Sequence, residues 1–319
     1  MPLTNTKRII RSSTVKAVLL TTIAIYLSLC FVVATTRFNS TDREPYIQDI
    51  GIAQEKLFAA FTVNIQAGLF IRNFSYFSIL ENRFVADMLV WYLFDSTEVS
   101  LKTIENFSFE NGTILKKSLP DIRAMDDKTF VKYNVVVELK TNLDYRRFPL
   151  EDHKVSIILT NHFVTPYEVM FDVLSSDFAV APDLFVSNWH IKDLKTNFGV
   201  GENILSQTDT TKKILYPKMI FTIDFIKAGL RKAFTIFAPI FIIFFFALFS
   251  FLLTLGNTIG RTSLSVAALT ALLGYRFVIE RMMPKVGYFT TTDYIYINLL
   301  EISFLIFTLK LLIVSVYKV

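Results

Sequence analysis

Long uncharged runs are the feature that most limits how this chain can fold. Residues 233–260 are 28 consecutive uncharged residues, and residues 17–36 are a further 20. About 20 apolar residues suffice for a helix to cross a bilayer. Two shorter runs lie at residues 262–275 and at residues 294–309, the latter with Glu301 inside it. The sequence therefore predicts an integral membrane protein.

Charged residues predict the domain boundaries and the orientation. Residues 46–230 carry charges throughout and are long enough for one folded domain. We place it between an N-terminal cytoplasmic segment, membrane helix and linker (1–45) and a membrane domain (231–319). Six basic residues mark the cytoplasmic side by the positive-inside rule: Lys7, Arg8, Arg11, Lys16, Arg261 and Lys318. The domain at 46–230 is then expected outside an inner or plasma membrane.

Several function classes have little support in the sequence. The net charge of +5 fits this topology rather than a nucleic-acid partner, because no basic run is interleaved with aromatic residues. The single cysteine, Cys30, lies in the first apolar run, so one chain cannot form a disulfide. His153, His162 and His190 lack metal-ligand spacing, and no complete nucleophile or dinucleotide motif is present. We expect no enzyme activity, no metal and no cofactor.

Alternating polarity predicts strands in the external domain. Apolar and polar side chains alternate at residues 133–140 and 221–225, which gives each segment one dry and one wetter face. Turn signals at residues 110–112 and 181–183 separate further strand-like runs. This spacing favours an antiparallel β-sandwich. Trp189, between two such runs, is expected to fill its core.

The run at residues 262–275 is too short and too rich in small residues for a helix that faces lipid. On a helical wheel, small or hydroxyl-bearing positions share one stripe: Ser263, Ala267, Thr270, Gly274 and Val278. The opposite side carries a second set: Leu264, Ala268, Leu272, Tyr275 and Ile279. The stripe suits either water or close packing against other helices, and the pattern alone leaves both open.

One intramembrane ion pair is predicted. Arg276 is turned away from the stripe toward the neighbouring helices, where a charge should be paired or functional. Glu301 is the only acidic residue within the four apolar runs. We therefore predict an ion pair between Arg276 and Glu301, in a structural rather than a gating role.

Several motifs occur in an order that resembles one family. Residues 142–157 read NLDYRRFPLEDHKVSI, and later stretches read VSNWHI, YPKMIFTIDF and MMPKVGYFTTTDY. Arg231 stands just before the long apolar run, and Pro239 stands inside it. Together these motifs resemble the pentameric ligand-gated ion channels, especially the bacterial members that lack the Cys-loop disulfide. The resemblance covers roughly residues 65–319.

The resemblance implies a homopentameric channel in the lipid membrane, opened by a ligand that binds the external domain. The stripe would then line the pore, with Arg261 and Glu280 at its mouths. Seven residues would couple binding to opening: Phe148, Pro149, Glu151, Arg231, Pro284, Lys285 and Tyr288. Arg261 favours anions and Glu280 opposes this, so charge selectivity stays open. The alternative is a non-conducting membrane receptor of the same architecture that signals through partners.

Ligand sites between subunits are also implied by the resemblance. The aromatic candidates are Trp91, Phe163, Tyr167 and Tyr216, with Trp91 supplied by a neighbouring subunit. An aromatic cage suits a cation, and we expect a small-molecule or ionic agonist. Each of these rings also fits a role in core or interface packing.

The chain departs from the family pattern at several points, among them a shorter segment between Trp91 and Tyr133 and the lack of a WxPD motif. Glu151 stands where the family usually has Asp, and no fourth membrane helix follows the third before residue 319. A retained helix at residues 17–36 would run from the cytoplasm outward, as the family's fourth helix does, and we predict that it takes that place. A cleaved signal peptide ending at Ala34 is the other interpretation.

Overall fold

The computed structural model describes residues 42–47, 62–209, 211–251, 253 and 258–317, with side chains up to residue 312. The helix predicted at residues 17–36, including Cys30, lies outside the described residues. The described chain divides into two compact units. The helical unit contains Tyr145–Glu151 and Gly229–Val319, and the β unit contains Ser40–Asp144 and Asp152–Ala228.

The described β unit has eleven strands in two sheets. The strands are β1 Val63–Ser78, β2 Arg83–Phe94, β3 Ser108–Phe109, β4 Gly112–Lys117, β5 Asp121–Met125, β6 Lys128–Leu139, β7 His153–Thr160, β8 Val169–Asp172, β9 Phe178–Val180, β10 Trp189–Ile204 and β11 Lys213–Lys227. One sheet has the order β4-β6-β2-β1-β8, with β5 beside β6 and β9 beside β1, and the other has the order β10-β11-β7-β3. A short helix, α1 (Leu101–Glu105), follows its N-cap residue Ser100.

The sheets confirm the predicted antiparallel pattern, with additions. Most strand pairs are antiparallel, but β1 pairs in parallel with β8 and with β9. Side chains alternate between buried and partly exposed along β2 and β6, as period two requires. The sheets contribute to one core: the Phe77 ring of β1 lies 5.1 Å from the Phe225 ring of β11, and Phe178 of β9 lies 5.3 Å from Phe221 of β11.

Two details of the sandwich prediction are wrong. Strand β11 is a central strand, and Thr222 and Asp224 on its predicted wetter face are both buried. Trp189 is only half-buried at the start of β10 and does not fill the core. Its ring lies 5.7 Å from the His153 ring, and the Lys227 ammonium lies 5.4 Å from its centroid. Phenylalanines fill the core instead, so the position of Trp189 at a strand end keeps it at the margin.

Three described helices of the helical unit are long and apolar enough to span a membrane. They are α2 (Arg231–Phe249), α3 (Thr258–Met282) and α4 (Thr291–Tyr317). Pro239 lies inside α2, as predicted. Helix α3 continues well beyond the uncharged run, through Arg276, to 25 residues. At 1.5 Å per residue this is about 37 Å, enough to cross a bilayer.

Candidate functional site

The segment Tyr145–Glu151 belongs to the helical unit, although it connects strands β6 and β7 of the β unit. It is fixed by hydrogen bonds to the start of α4. The Thr291 N–H donates to the Arg146 carbonyl at 2.8 Å, and the Thr292 hydroxyl donates to the Phe148 carbonyl at 3.0 Å. We call Tyr145–Glu151 the docking loop. Two backbone carbonyls of this loop are thus satisfied by the first turn of a membrane helix.

Aromatic contacts reinforce this attachment. The backbone N–H of Tyr145 donates to the Tyr288 hydroxyl at 2.9 Å, and the Arg146 guanidinium lies 5.8 Å from the Tyr288 ring centroid. Phe148 is buried, and the Lys232 ammonium lies 4.8 Å from its ring centroid. The structure therefore places Tyr288 against the docking loop, which contains Phe148, another of the predicted coupling residues.

The other predicted coupling residues are less closely joined. Pro149 and Glu151 are buried in the docking loop, where the Phe148–Pro149 peptide bond is cis. Arg231 is exposed at the first position of α2. Pro284 is buried and Lys285 is exposed in the connection between α3 and α4. These residues share the helical unit with the loop, and their coupling role stays a prediction.

The predicted partner of Arg276 is wrong. Its Nη1 lies 2.6 Å from Asp293 Oδ1, and its Nε lies 3.0 Å from Glu280 Oε1. Glu301 is exposed and makes no hydrogen bond or ion pair with a described residue. Asp293 lies eight residues earlier on α4, about 12 Å along the helix at 1.5 Å per residue. Asp293 directly precedes the apolar run at residues 294–309, so a prediction limited to acids inside the runs could not include it.

Asp293 also caps helix α4. Its Oδ2 accepts hydrogen bonds from the Thr290 N–H at 2.8 Å and from the Thr290 hydroxyl at 2.9 Å. The reciprocal bond from the Asp293 N–H to the Thr290 hydroxyl is 3.5 Å, which completes a capping box. A pocket of about 370 Å³ lies beside this group, lined by Arg276, Glu280, residues 283–289 and Asp293. The cap therefore fixes one wall of this pocket.

The two sides of α3 differ in burial within the subunit. All five stripe positions are exposed: Ser263, Ala267, Thr270, Gly274 and Val278. On the opposite side Ala268, Leu272 and Ile279 are buried, because α3 packs there against α2 and α4. The described residues thus leave the small-residue stripe uncovered, together with larger neighbours such as Phe277, which is 70% exposed.

The two predicted pore-mouth residues, Arg261 and Glu280, differ in exposure. Arg261 is buried, and its Nε donates to the Ser250 carbonyl at 3.2 Å, so its side chain does not lie open at a mouth of the stripe. The carbonyls at the end of α2 attract the guanidinium, which explains the difference from the prediction. Glu280 is more than half exposed and is bound to Arg276.

The aromatic ligand candidates do not form one common cage within the subunit. Tyr216 is 3% exposed, and its hydroxyl donates to Asn203 Oδ1 at 3.2 Å. A Cβ at Gly201, the cross-strand partner, would lie 2.4 Å from the Tyr216 ring, so the glycine makes room for it. Burial raises the pKa of the Tyr216 hydroxyl, with Glu110 adding to the shift. Within the chain Tyr216 therefore packs in the β unit, and its role in a ligand cage stays a prediction.

The remaining candidates keep more open surfaces. Phe163 is 74% and Tyr167 is 52% exposed. Trp91 is half-buried, packed across Gly68 of the neighbouring strand and 5.8 Å from the Phe130 ring. A pocket of about 440 Å³ in the β unit is lined by Phe163 and by charged side chains: Glu98, Lys102 and Glu168. Phe163 was predicted from the sequence, but these charged residues were not, because Glu98 and Lys102 are distant from Phe163 in sequence and no local pattern joins them.

A buried carboxylate outside the predicted set links three chain segments of the β unit. Asp42 accepts hydrogen bonds from the N–H groups of Asp144 at 2.6 Å and Lys154 at 2.8 Å, and His153 Nδ1 lies 3.1 Å away. Burial raises the pKa of Asp42, but the His153 contact and the backbone donors outweigh it, so the pKa is lowered overall. Asp144 and Lys154 flank the docking loop, so Asp42 fixes both of its ends.

Neither a scan against protein-family models nor a search of curated proteins gives a match to this chain. Function is therefore inferred from the geometry above and from the resemblance of the motifs.

Proposed function

We propose that this chain is the subunit of a homopentameric ligand-gated ion channel, related to the family that its motifs resemble. The observation that carries the proposal is the uncovered stripe on α3. Five small or hydroxyl-bearing positions face away from the subunit, while the opposite side of the same helix is buried. Small and hydroxyl-bearing side chains on a membrane helix favour protein neighbours or water over lipid. Five copies around one axis give the stripes a shared aqueous space, and a closed ring needs only one repeated interface.

The docking loop supports gating by the β unit. This loop lies in the connection between strands β6 and β7, while its carbonyls bind the first turn of α4. A ligand that favours one arrangement of these strands would shift the equilibrium of the attached helices by its difference in affinity. The positive-inside pattern supports an external position for the β unit. Phe163 and Tyr167 remain the open aromatic candidates for the agonist, a small molecule or ion.

Current across a bilayer tests the proposal. Purified full-length protein in planar bilayers should conduct when protons or small organic amines are applied to the side of the β unit, since exposed aromatic rings suit cationic ligands. Native mass measurement should give five copies. Stable pentamers that carry no current with any of these probes would contradict the proposal and favour the non-conducting receptor.

Cysteine modification tests the assignment of the stripe. In a Cys30→Ser background, a charged thiol reagent should block current after Ser263→Cys, Thr270→Cys or Val278→Cys. Phe304→Cys is the matched control, because Phe304 is 58% exposed but lies on α4. Its modification should leave the current unchanged. Equal block at Phe304, or none along the stripe, would show that another surface conducts.

A further inference from the structure

A cluster of buried cations lies among the three membrane helices. The Lys310 side chain is 2% exposed, and its Nζ lies 2.5 Å from Ser265 Oγ and 3.3 Å from the Ala247 carbonyl. Ser265 Oγ lies 3.1 Å from Ser250 Oγ. Arg261, 8% exposed, donates through Nε to the Ser250 carbonyl. One hydrogen-bonded group therefore holds two basic side chains from α3 and α4.

No carboxylate neutralises this cluster within the described residues. The sequence contains no Asp or Glu among residues 1–41, 225–279 or 302–319. Of the acids in the helical unit, Glu280 and Asp293 bind Arg276, and Glu301 is exposed without a described partner. The fourth, Glu151, lies in the docking loop. The positive charge of the cluster is thus uncompensated, which is uncommon for buried membrane residues.

Both groups have contacts that suit a cation, but burial and the nearby Arg261 charge oppose the positive charge on Lys310. The Lys310 ammonium contacts two oxygen atoms and lies 4.4 Å from the centroid of the Phe251 ring, whose face attracts cations. Arg261 remains protonated in proteins, and only its Nε makes a hydrogen bond with a described residue. Arg261 therefore supplies a permanent positive charge at this level, and Lys310 supplies a second one when its amine is protonated.

The cluster lies directly behind the exposed stripe. Ser265, which binds Lys310, lies between Ser263 and Ala267 in sequence but is buried, whereas those two residues are exposed. An α-helix is about 10–12 Å across with its side chains, so the charges lie about one helix width from the stripe surface. A low-dielectric protein wall transmits a field over this distance more effectively than water does.

We propose that Lys310 and Arg261 make the pore selective for anions by acting through the wall of α3. This inference rests on the proposed function. In a pentamer the cluster would supply up to ten positive charges around one level of the pore, and no described acidic side chain lies on the adjacent part of the stripe. Chloride would be concentrated at this level and sodium excluded, without a charged side chain in the pore itself.

Reversal potentials across a tenfold NaCl gradient test the inference. The wild-type full chain should reverse near the chloride potential. Lys310→Gln retains a hydrogen-bond donor but removes up to five charges per pentamer, and should lower the chloride-to-sodium permeability ratio by about tenfold or more. Lys310→Met serves as the neutral replacement if the glutamine variant does not assemble. Lys310→Arg, which keeps the charge, should retain the wild-type ratio.

Ser265→Ala is the packing control, because it removes a hydrogen bond to Lys310 and leaves the charge. It should keep the wild-type permeability ratio. A sodium-selective wild-type current, or an unchanged ratio in Lys310→Gln and Lys310→Met, would overturn the inference while leaving the channel proposal intact. A loss of selectivity in Ser265→Ala equal to that in Lys310→Gln would also overturn it. Absence of any wild-type current would refute the proposed function, and the inference with it.

Discussion

Replacement of Asp293 by asparagine should weaken the link between α3 and α4. The Asp293 carboxylate binds Arg276 of α3 at 2.6 Å and accepts the Thr290 N–H at 2.8 Å. Asparagine keeps an oxygen acceptor for Thr290, so it retains most of the helix cap. The change therefore removes mainly the ionic part of the contact with Arg276.

The expected magnitude follows from burial. The Asp293 side chain is 4% exposed and that of Arg276 is 29% exposed, so the pair lies between a surface pair and a buried pair. Exposed ion pairs contribute about 0.2–1 kcal/mol, whereas breaking a buried pair costs about 3–5 kcal/mol. We expect Asp293→Asn to lower the free energy of unfolding by about 1–3 kcal/mol. A double-mutant cycle with Arg276→Gln should give a coupling energy of about 1–2 kcal/mol.

Reversible unfolding of the full chain in mixed detergent micelles, followed by helical circular dichroism, measures both quantities. Glu301→Gln is the matched control, because Glu301 is exposed on the same helix and binds no described residue. It should change the free energy of unfolding by less than about 0.5 kcal/mol. A coupling energy near zero between Arg276 and Asp293 would refute this pairing, as would an equal cost for Glu301→Gln.

Two further predictions concern the β unit, which contains both tryptophans and can be followed by their fluorescence. Asp42→Asn should destabilise the unit by about 1–3 kcal/mol at neutral pH. The pKa of Asp42 in the folded unit lies below its usual 3.8. The stability difference between the wild type and Asp42→Asn should therefore persist above pH 3.8 and vanish as the pH falls through the folded pKa. A stability difference that stays constant down to low pH would contradict this prediction. Gly68→Ala would place a Cβ 2.3 Å from Trp91 Cε2 and should cost about 1–3 kcal/mol. Gly229→Ala, at the first residue of the helical unit, is the control for the glycine-to-alanine change: nothing lies within 4 Å of its added Cβ, so unfolding of the β unit should match the wild type. Equal behaviour of the two alanine variants would refute the packing argument.

Local patterns in the sequence were sufficient to predict the main elements of the fold. Period-two alternation at residues 133–140 predicted a strand there, and most of this segment lies in β6, where every second side chain is buried. Apolar run length predicted α2 and α4, because the bilayer requirement depends only on composition and length. Alternation at residues 221–225 wrongly predicted one wetter face for β11. The pattern cannot show that β11 lies between two other strands and has both faces covered.

Most of the candidate site depends on contacts between distant residues. Asp42 and His153 lie 111 positions apart, and no local pattern joins them. Lys310 follows the apolar run at residues 294–309 in sequence, yet its long side chain reaches back to Ser265. A signal for Asp293 was present, because Thr290 and Asp293 have the spacing of a capping box. That signal identifies a helix start but not the partner, Arg276, on another helix.

Polar contacts, rather than the apolar pattern, fix the rotation of α3 about its own axis. Lipid is as apolar as leucine, so a membrane helix gains little from turning one apolar face inward. Three contacts at different levels join α3 to α4: Lys310 to Ser265 at 2.5 Å, the Tyr296 hydroxyl to the Leu272 carbonyl at 3.3 Å, and Arg276 to Asp293 at 2.6 Å. All three lie on the side of α3 away from the stripe, which is why Ser263 and Thr270 remain uncovered. Loss of one contact leaves two others to hold the same rotation, so the exposed stripe is a property of the whole α3–α4 pair.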